Sequence, residues 1–419
     1  MSCHRQRLVA SRVLSLLAVL SASPIAHAQP ALSTTTANAT ARIVTRIQPG
    51  PSDTWLFGRI QAIAVDRSGR IYVLDATDQK IRVFSQAGKP IRVLGGLGRG
   101  PGELFRPRTL DVVNDTLWVI DNANARLSAF SVSNGAYLRS SRAAVYDQDI
   151  EGVSSVGIFL LEQVGAGDAS SGKPLTLRMT HERTTKSDRR QIGAVSIVQR
   201  SLAFRLYAGV AKQPSGTAMI PQPLDNGPLM RTSPHGRSFV VLDRSPRTTG
   251  AATTNVLGTG SSGAILLHEI GWRGDTVRRQ MYTVPLRRLS ATDVSAVIDS
   301  LANPNMLIMG AKPTGIPQEI RDSLYVPSHW PAVTEMIIGI DGSVWLRQPQ
   351  PPAASAKFWR ITPDGKEAAP VILPSSVRPF RVSLSRVWGV GENALGEPVV
   401  EVHDIVEPVQ GSRKPGGGP

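Results

Sequence analysis

One stretch of this chain is written twice. Residues 70–84 read Arg-Ile-Tyr-Val-Leu-Asp-Ala-Thr-Asp-Gln-Lys-Ile-Arg-Val-Phe, and residues 116–130 read Thr-Leu-Trp-Val-Ile-Asp-Asn-Ala-Asn-Ala-Arg-Leu-Ser-Ala-Phe. Ile71, Tyr72, Val73, Asp75, Lys80, Ile81 and Phe84 meet like residues in Leu117, Trp118, Val119, Asp121, Arg126, Leu127 and Phe130. Each copy is an apolar run, an acidic turn and a second apolar run, the pattern of paired strands. A repeat length in the forties leaves room for about four short strands per unit. A unit of that size cannot bury its own faces, so several must stack.

Further copies extend along the chain. In the first unit, Ile60 to Val65 precedes the turn 66–69, and Ile91 to Leu94 follows the second run. The second unit runs from Leu110 to about Leu138. A third shows in Val156 to Glu162 and Leu175 to Met179, and a fourth in Ser238 to Asp243. The long interval between these two marks insertions around 164–172 and 208–226, with a degenerate extra unit as the alternative. Ser290 with Asp293 forms a capping-box pattern ahead of Val294, Val297, Ile298 and Leu301, which hold one helical face. Ile316, Ile320 and Leu324 suggest a second helical turn. The fifth unit returns in Ile337 to Leu346 and Phe358 to Ile361, and the sixth in Val382 to Leu384, Val387 to Val390 and Val399 to His403. The sixth offers three strands, and the alternating segment Arg42 to Ile47 supplies a fourth. The expected fold is therefore all-β: a six-bladed β-propeller closed by an N-terminal strand, with a helical insertion between blades four and five.

The repeat resembles the NHL family of six-bladed β-propellers, in its exported bacterial branch. The resemblance is carried by Val73-Leu74-Asp75 with Lys80-Ile81-Arg82-Val83-Phe84, by Asp121 to Leu127, and by the inter-blade segment Gly95 to Pro107. It covers residues 57–135 well and the later blades loosely. It implies a fold and an exported location far more than a reaction.

The ends bound the domain. Arg5, Arg7 and Arg12, the apolar run Val13 to Leu20 and Ala26-His27-Ala28 read as a secretory signal peptide over 1–28, cleaved after Ala28. The apolar run is far shorter than the ~20 residues of a spanning helix. A polar linker over 29–40, the propeller over 41–406 with its helical insertion at 290–325, and a disordered tail over 407–419 are the expected divisions. The single cysteine, Cys3, leaves with the leader, so stability must come from a large core rather than disulfides. The expected location is periplasmic or secreted.

Net charge is +15, but only nine basic residues are lysine and no sustained basic stretch exists, so nucleic acid is not an expected partner. The glycine-rich run 95–102 lacks the Gly-Lys-Ser/Thr of a phosphate loop and reads as an inter-blade turn. Gly258 to Gly263 fits G-x-G-x-x-G but links two β-like stretches. The recurring acids Asp75, Asp121, Glu162 and Asp243 read as structural, accepting turn amides or pairing with Lys80 and Arg126. His181, His235, His268, His329 and His403 show no metal spacing, and no nucleophile–histidine–acid arrangement is visible.

What does not repeat is the set of segments leading into the innermost strands. Arg59, Arg106, Arg108, Arg231, His329, Trp330 and Arg378 lie there, with Phe57, Phe105, Phe380 and Arg381 beside them. Gathered at one mouth of the channel, the first seven would form a basic and aromatic rim suited to an anionic or planar ligand. The expected function is a non-enzymatic scaffold, monomeric and not membrane-inserted, binding a protein, peptide or anionic glycan on one face. The alternative is a lactonase- or esterase-like hydrolase, or a lyase, at the channel mouth. No cofactor is expected, and a divalent cation in the channel stays open.

Overall fold

The structure, a computed structural model, describes residues 30–32, 37–50, 55–142, 149–153, 157–164, 175–183, 189–197, 201–208, 213–222, 224–245, 262–301, 324–351 and 354–408. A first strand, β1 (Ala39–Ile47), precedes the repeats. Blade one is β2 (Ile60–Val65), β3 (Ile71–Asp75), β4 (Lys80–Phe84) and β5 (Pro90–Gly95), an antiparallel sheet in chain order. Blade two is β6 (Pro107–Val113), β7 (Thr116–Asp121), β8 (Arg126–Ser131) and β9 (Tyr137–Arg142). Blade three is β10 (Asp149–Val153), β11 (Gly157–Val164), β12 (Leu175–Arg183) and β13 (Arg189–Ile197).

A separate hairpin, β14 (Ser201–Ala208) with β15 (Gln213–Pro221), fills the long interval after blade three. It is a two-stranded insertion and not a further blade. Blade four is β16 (Leu229–Thr232), β17 (Ser238–Asp243), β18 (Ser262–Gly271) and β19 (Thr276–Pro285), followed by helix α1 (Ala291–Leu301). Blade five is β20 (Glu335–Ile338), β21 (Val344–Arg347), β22 (Ala356–Ile361) and β23 (Glu367–Leu373). Blade six is β24 (Arg378–Val382), β25 (Arg386–Glu392), β26 (Pro398–Val406) and, outermost, β1, whose first residues also pair parallel to β23 and so join blades five and six in one eight-stranded sheet. The fold is all-β with six four-stranded blades.

The second strand of a blade shows why the repeat has its spelling. In β3, Ile71 and Val73 face blade six while Tyr72 and Leu74 face blade two. In β7, Leu117 and Val119 face blade one while Trp118 and Ile120 face blade three. Strand alternation delivers successive side chains to opposite neighbours, so both faces are apolar and the run is continuous. The same division occurs at Val240 and Leu242 against Phe239 and Val241 in β17. One apolar cluster fills each of the six gaps between adjacent blades, including the gap between blades six and one. The innermost strands also touch in turn, β2 to β6, β10, β16, β20, β24 and back to β2.

Strand β1 begins at Ala39, earlier than the alternation of 42–47 suggested, and runs antiparallel to β26. Arg46 reaches across to Glu401 (2.7 Å), which also contacts the buried His403 (3.0 Å). The expected linker is partly docked: Ala31 bridges Thr283, and Leu32 is buried between blades four and five. Leucine is the one large apolar residue there, and burying such a side chain is worth about 1.5–3 kcal/mol. At the other end Glu407 is held by Arg360 (2.7 Å), so the described fold extends beyond 406. The expected leader, the second helical turn around Ile316 and Ile320, the residues 258–261 and the end of the tail lie outside the described residues. No helix of the described residues is long and apolar enough to cross a membrane.

The turn between β2 and β3 carries a buried carboxylate. Asp66 accepts bonds from Ser68 Oγ (2.7 Å), Arg70 Nε (2.7 Å) and Tyr72 Oη (2.9 Å), and Gly69 turns the chain at φ 81. Burial alone would raise the Asp66 pKa, but the bonds from Ser68, Arg70 and Tyr72 outweigh it and hold the carboxyl below its ordinary 3.8. A depressed carboxyl stabilises the fold above its unfolded pKa and loses that contribution as pH falls through the folded value. Asp66→Asn should therefore cost about 2 kcal/mol at neutral pH. Thermal midpoints followed into acid should fall more steeply for the parent than for the variant. Parallel curves would contradict this account of Asp66.

Candidate functional site on the ring axis and its entrance face

Each blade is a four-stranded meander, so the chain finishes a blade on the face where that blade began. All innermost strands therefore start on one side of the ring, the entrance face. The recurring acids at the ends of β3 and β7 lie beside that start. Asp75 accepts the backbone N–H groups of Gly58 (2.8 Å) and Arg59 (3.1 Å), and Asp121 accepts that of Phe105 (2.7 Å). The acids thus clamp the segments that lead into β2 and β6. Asp121 also takes Arg126 Nε (2.9 Å), and Arg126 reaches the carbonyls of Gly100 (2.9 Å) and Glu103 (2.6 Å). That explains the glycine-rich run as a gripped inter-blade turn. The partner of Asp75 is Arg82 (3.6 Å) rather than the expected Lys80. Asp243 accepts the N–H of Ser245 (2.9 Å), while the side chain of Glu162 lies outside the described residues.

Blades four and five are joined on this face by Arg244, which sequence reasoning missed. Its guanidinium donates to the carbonyls of Asp225 (2.9 Å) and Val333 (2.7 Å), the segments preceding β16 and β20. Burial pushes its pKa down to about 10, with the Asp225 and Asp243 carboxylates partly opposing the shift.

Of the expected rim residues, Arg59, Arg106, Arg108 and Arg378 are exposed and stand at the starts of β2, β6 and β24. Arg231 is exposed as the third residue of β16, its guanidinium donating to its neighbour's carbonyl, Met230 O (2.7 Å). Arg106 takes the left-handed conformation (φ 53) and its N–H donates to Gln79 Oε1 (2.7 Å). Arg99 and Arg106 lie 5.1 and 5.9 Å from the Phe105 ring, and Arg378 lies 4.6 Å from Phe380. No carboxylate among the described residues pairs with Arg59, Arg106, Arg231 or Arg378. His329 is half-buried, bridges Arg288 through its backbone and meets Ser328 Oγ with Nδ1 (3.0 Å).

Trp330 does not stand on the rim. It is 6% exposed, packs with Leu224 and Val297, and its indole N–H donates to Asp293 (3.2 Å). Asp293 is also the capping-box partner of Ser290, so one carboxylate ends the helix and fastens it to the blade. An indole with an N–H partner below the surface is more stable buried than displayed.

The second feature lies on the axis. Arg381, on β24 of blade six, passes β2 and donates through Nη2 to Leu110 O of β6 (3.2 Å), with Asp111 Oδ1 at 3.7 Å. From the opposite side, His235 meets the same strand. Its N–H donates to Asp111 Oδ2 (3.1 Å), and its Nδ1 lies 2.7 Å from Val112 O. Three non-adjacent blades thus converge on the inner edge of β6, where Leu110 and Val112 present carbonyls that no neighbouring strand pairs. A carbonyl can only accept, so Nδ1 is the donor in this contact, and the neutral ring then has its lone pair on Nε2. His235 itself is strained, at φ 64 between the buried Pro234 and Gly236. The sequence signal was slight: Asp111 and Arg381 are charges in short inner strands that also carry Arg108 and Arg378, and His235 looked like any lone histidine.

No group of three or more His, Cys, Asp or Glu side chains among the described residues could hold a metal ion.

Comparisons with known proteins agree with the architecture. Residues 39–155 match a family described as a 6-bladed beta-propeller. No curated protein matches the chain. Among solved structures, a Bacteroides fragilis protein described as exported is similar at 9% identity, over 90% of this chain and 99% of its own, with a TM-score of 0.47. The calcium-binding protein regucalcin of Agrobacterium tumefaciens is similar at 10% identity, over 89% and 98% of the two chains, with a TM-score of 0.35. Virginiamycin B lyase of Staphylococcus aureus is similar at 10% identity, over 83% and 96%, with a TM-score of 0.35. The protein is a six-bladed β-propeller with Asp111, His235 and Arg381 clustered on its axis.

Asp121→Ala should leave Arg126 unpaired beside the gripped turn and cost about 3 kcal/mol. Hydrogen exchange at the amides of 98–106 should accelerate in that variant before global unfolding. Unchanged exchange there would show that Asp121 does not clamp the segment.

Proposed function

We propose that the protein is an exported binding scaffold whose entrance face takes an anionic ligand, a carboxylate- or sulfate-bearing peptide, protein or glycan. The observation that carries this reading is the set of exposed arginines, Arg59, Arg106, Arg231 and Arg378, in the segments of the innermost strands and without carboxylate partners among the described residues. Exposed guanidiniums without a carboxylate partner keep most of their donors for an incoming carboxylate or sulfate, and the neighbouring Phe105 and Phe380 limit how far Arg106 and Arg378 swing. Export rests on the basic leader, its short apolar run and the Ala-x-Ala site. A ring that has already used every blade face for its own closure leaves the rims as the surfaces for recognition, which suits a monomer.

A second reading, a hydrolase or lyase, is favoured by one observation: the His235 imidazole is held on the axis by Val112 O through Nδ1, with its backbone N–H on Asp111. A neutral imidazole so held can accept a proton.

Binding to immobilised sulfated glycan and to poly-glutamate, followed across ionic strength, tests the scaffold reading. The quadruple variant Arg59→Gln, Arg106→Gln, Arg231→Gln, Arg378→Gln should bind at least about tenfold more weakly and with a shallower salt dependence. Equal binding by parent and variant would sink it.

A further inference from the structure

The axis cluster is built differently from the rim. Arg381 and Asp111 are only 22% and 17% exposed in their side chains, within reach of solvent but held on several sides. The Arg381 Nε atom is buried and has no hydrogen-bond partner in the protein. A buried donor without an acceptor is costly, and guanidinium geometry presents Nε–H as one prong of a fork that matches a carboxylate. Against the same strand edge, the neutral His235 ring held through Nδ1 offers the complementary function, a lone pair on Nε2. The carbonyls gripped by the two side chains, Leu110 O and Val112 O, are two residues apart on one strand edge, about 7 Å.

We propose that Arg381 and His235 form a site for a short hydroxy acid on the propeller axis, with β6 as the rail that spaces them. The carboxylate pairs with the Arg381 guanidinium, and the hydroxyl donates to His235 Nε2. Asp111 decides the charge of the ligand. Its carboxylate already offsets Arg381, and a second negative group on the ligand would meet Asp111 and a ring nitrogen that cannot donate. A monoanion with a hydroxyl therefore fits better than a dicarboxylate. The strained turn at His235 has its purpose in this geometry: φ 64 carries the imidazole past β10 to the edge of β6. This site is separate from the arginines of the entrance face, and neither reading depends on the other.

The test uses 4-hydroxybutyrate as probe, with butyrate and succinate as controls, in calorimetric titrations of the leaderless protein. The parent should bind 4-hydroxybutyrate at millimolar concentration, and each control about tenfold more weakly. Arg381→Gln should abolish binding. His235→Asn, which keeps a residue tolerant of the left-handed backbone, should bind 4-hydroxybutyrate no better than butyrate. Thermal melts of both variants establish that they fold, and an NMR shift of the His235 Nε2 resonance on titration reports the contact directly, in the parent. The quadruple rim variant should bind the probe as the parent does. Absence of binding by the parent, equal affinity for all three acids, or binding that survives Arg381→Gln would each overturn the proposal. Loss of the probe in the rim variant alone would do so too, by placing the acid on the entrance face.

Discussion

Everything in this structure depends on the requirement that each blade bury both of its faces. A four-stranded sheet with one wet face could end a stack, but β3, β7, β17 and β21 are apolar on both sides. Only an arrangement without a first or last sheet satisfies them all, and a closed ring is that arrangement. The cluster joining Ile47, Trp388, Val400 and Val402 to Ile63, Ile71 and Phe84 is where the two ends of the stack meet. Strand β1 belongs to the same solution. It completes blade six from the N-terminal side, so the last sheet is made from both ends of the chain.

Ring closure also sets where polar groups can go. Inter-blade gaps are apolar, and several buried arginines sit where they satisfy backbone carbonyls at the ends of strands. Arg360 is fully buried and donates to the carbonyls of Ala369 and Leu384 as well as to Glu407, tying blade five to blade six. Arg244 does the same for blades four and five, and Arg126 for the turn between blades one and two. Arginine suits these positions because a planar fork can reach several carbonyls at once. The exposed Arg59, Arg106, Arg231 and Arg378 differ from these in having no carboxylate partner among the described residues.

Much of the scaffold was legible in the sequence because its rules are local. Strand alternation, the acidic turns and the Ser290–Asp293 capping box each involve residues a few positions apart, and each appears where the spacing placed it. The insertion before blade four was legible as an interruption but not as a hairpin, since β14 and β15 pair only with each other. Trp330 misled for a physical reason. Its position before an inner strand resembles that of the rim arginines, but its surroundings are made by Leu224 and by Val297 on α1, elements distant in the chain. Leu32 and Glu407 likewise joined the fold through partners that no local pattern reveals.

Sequence alone carried the unit: its four strands, its two apolar faces and the recurring structural acid. Those follow from alternation and hydrogen bonding within about forty residues, and they repeat because every blade faces the same problem. Only the folded ring decided what stands on its axis. Asp111, His235 and Arg381 come from blades two, four and six, and nothing in their local sequences refers to one another. They meet because closure turns the inner edge of β6 toward the centre, where its unpaired carbonyls are within reach of side chains from across the channel.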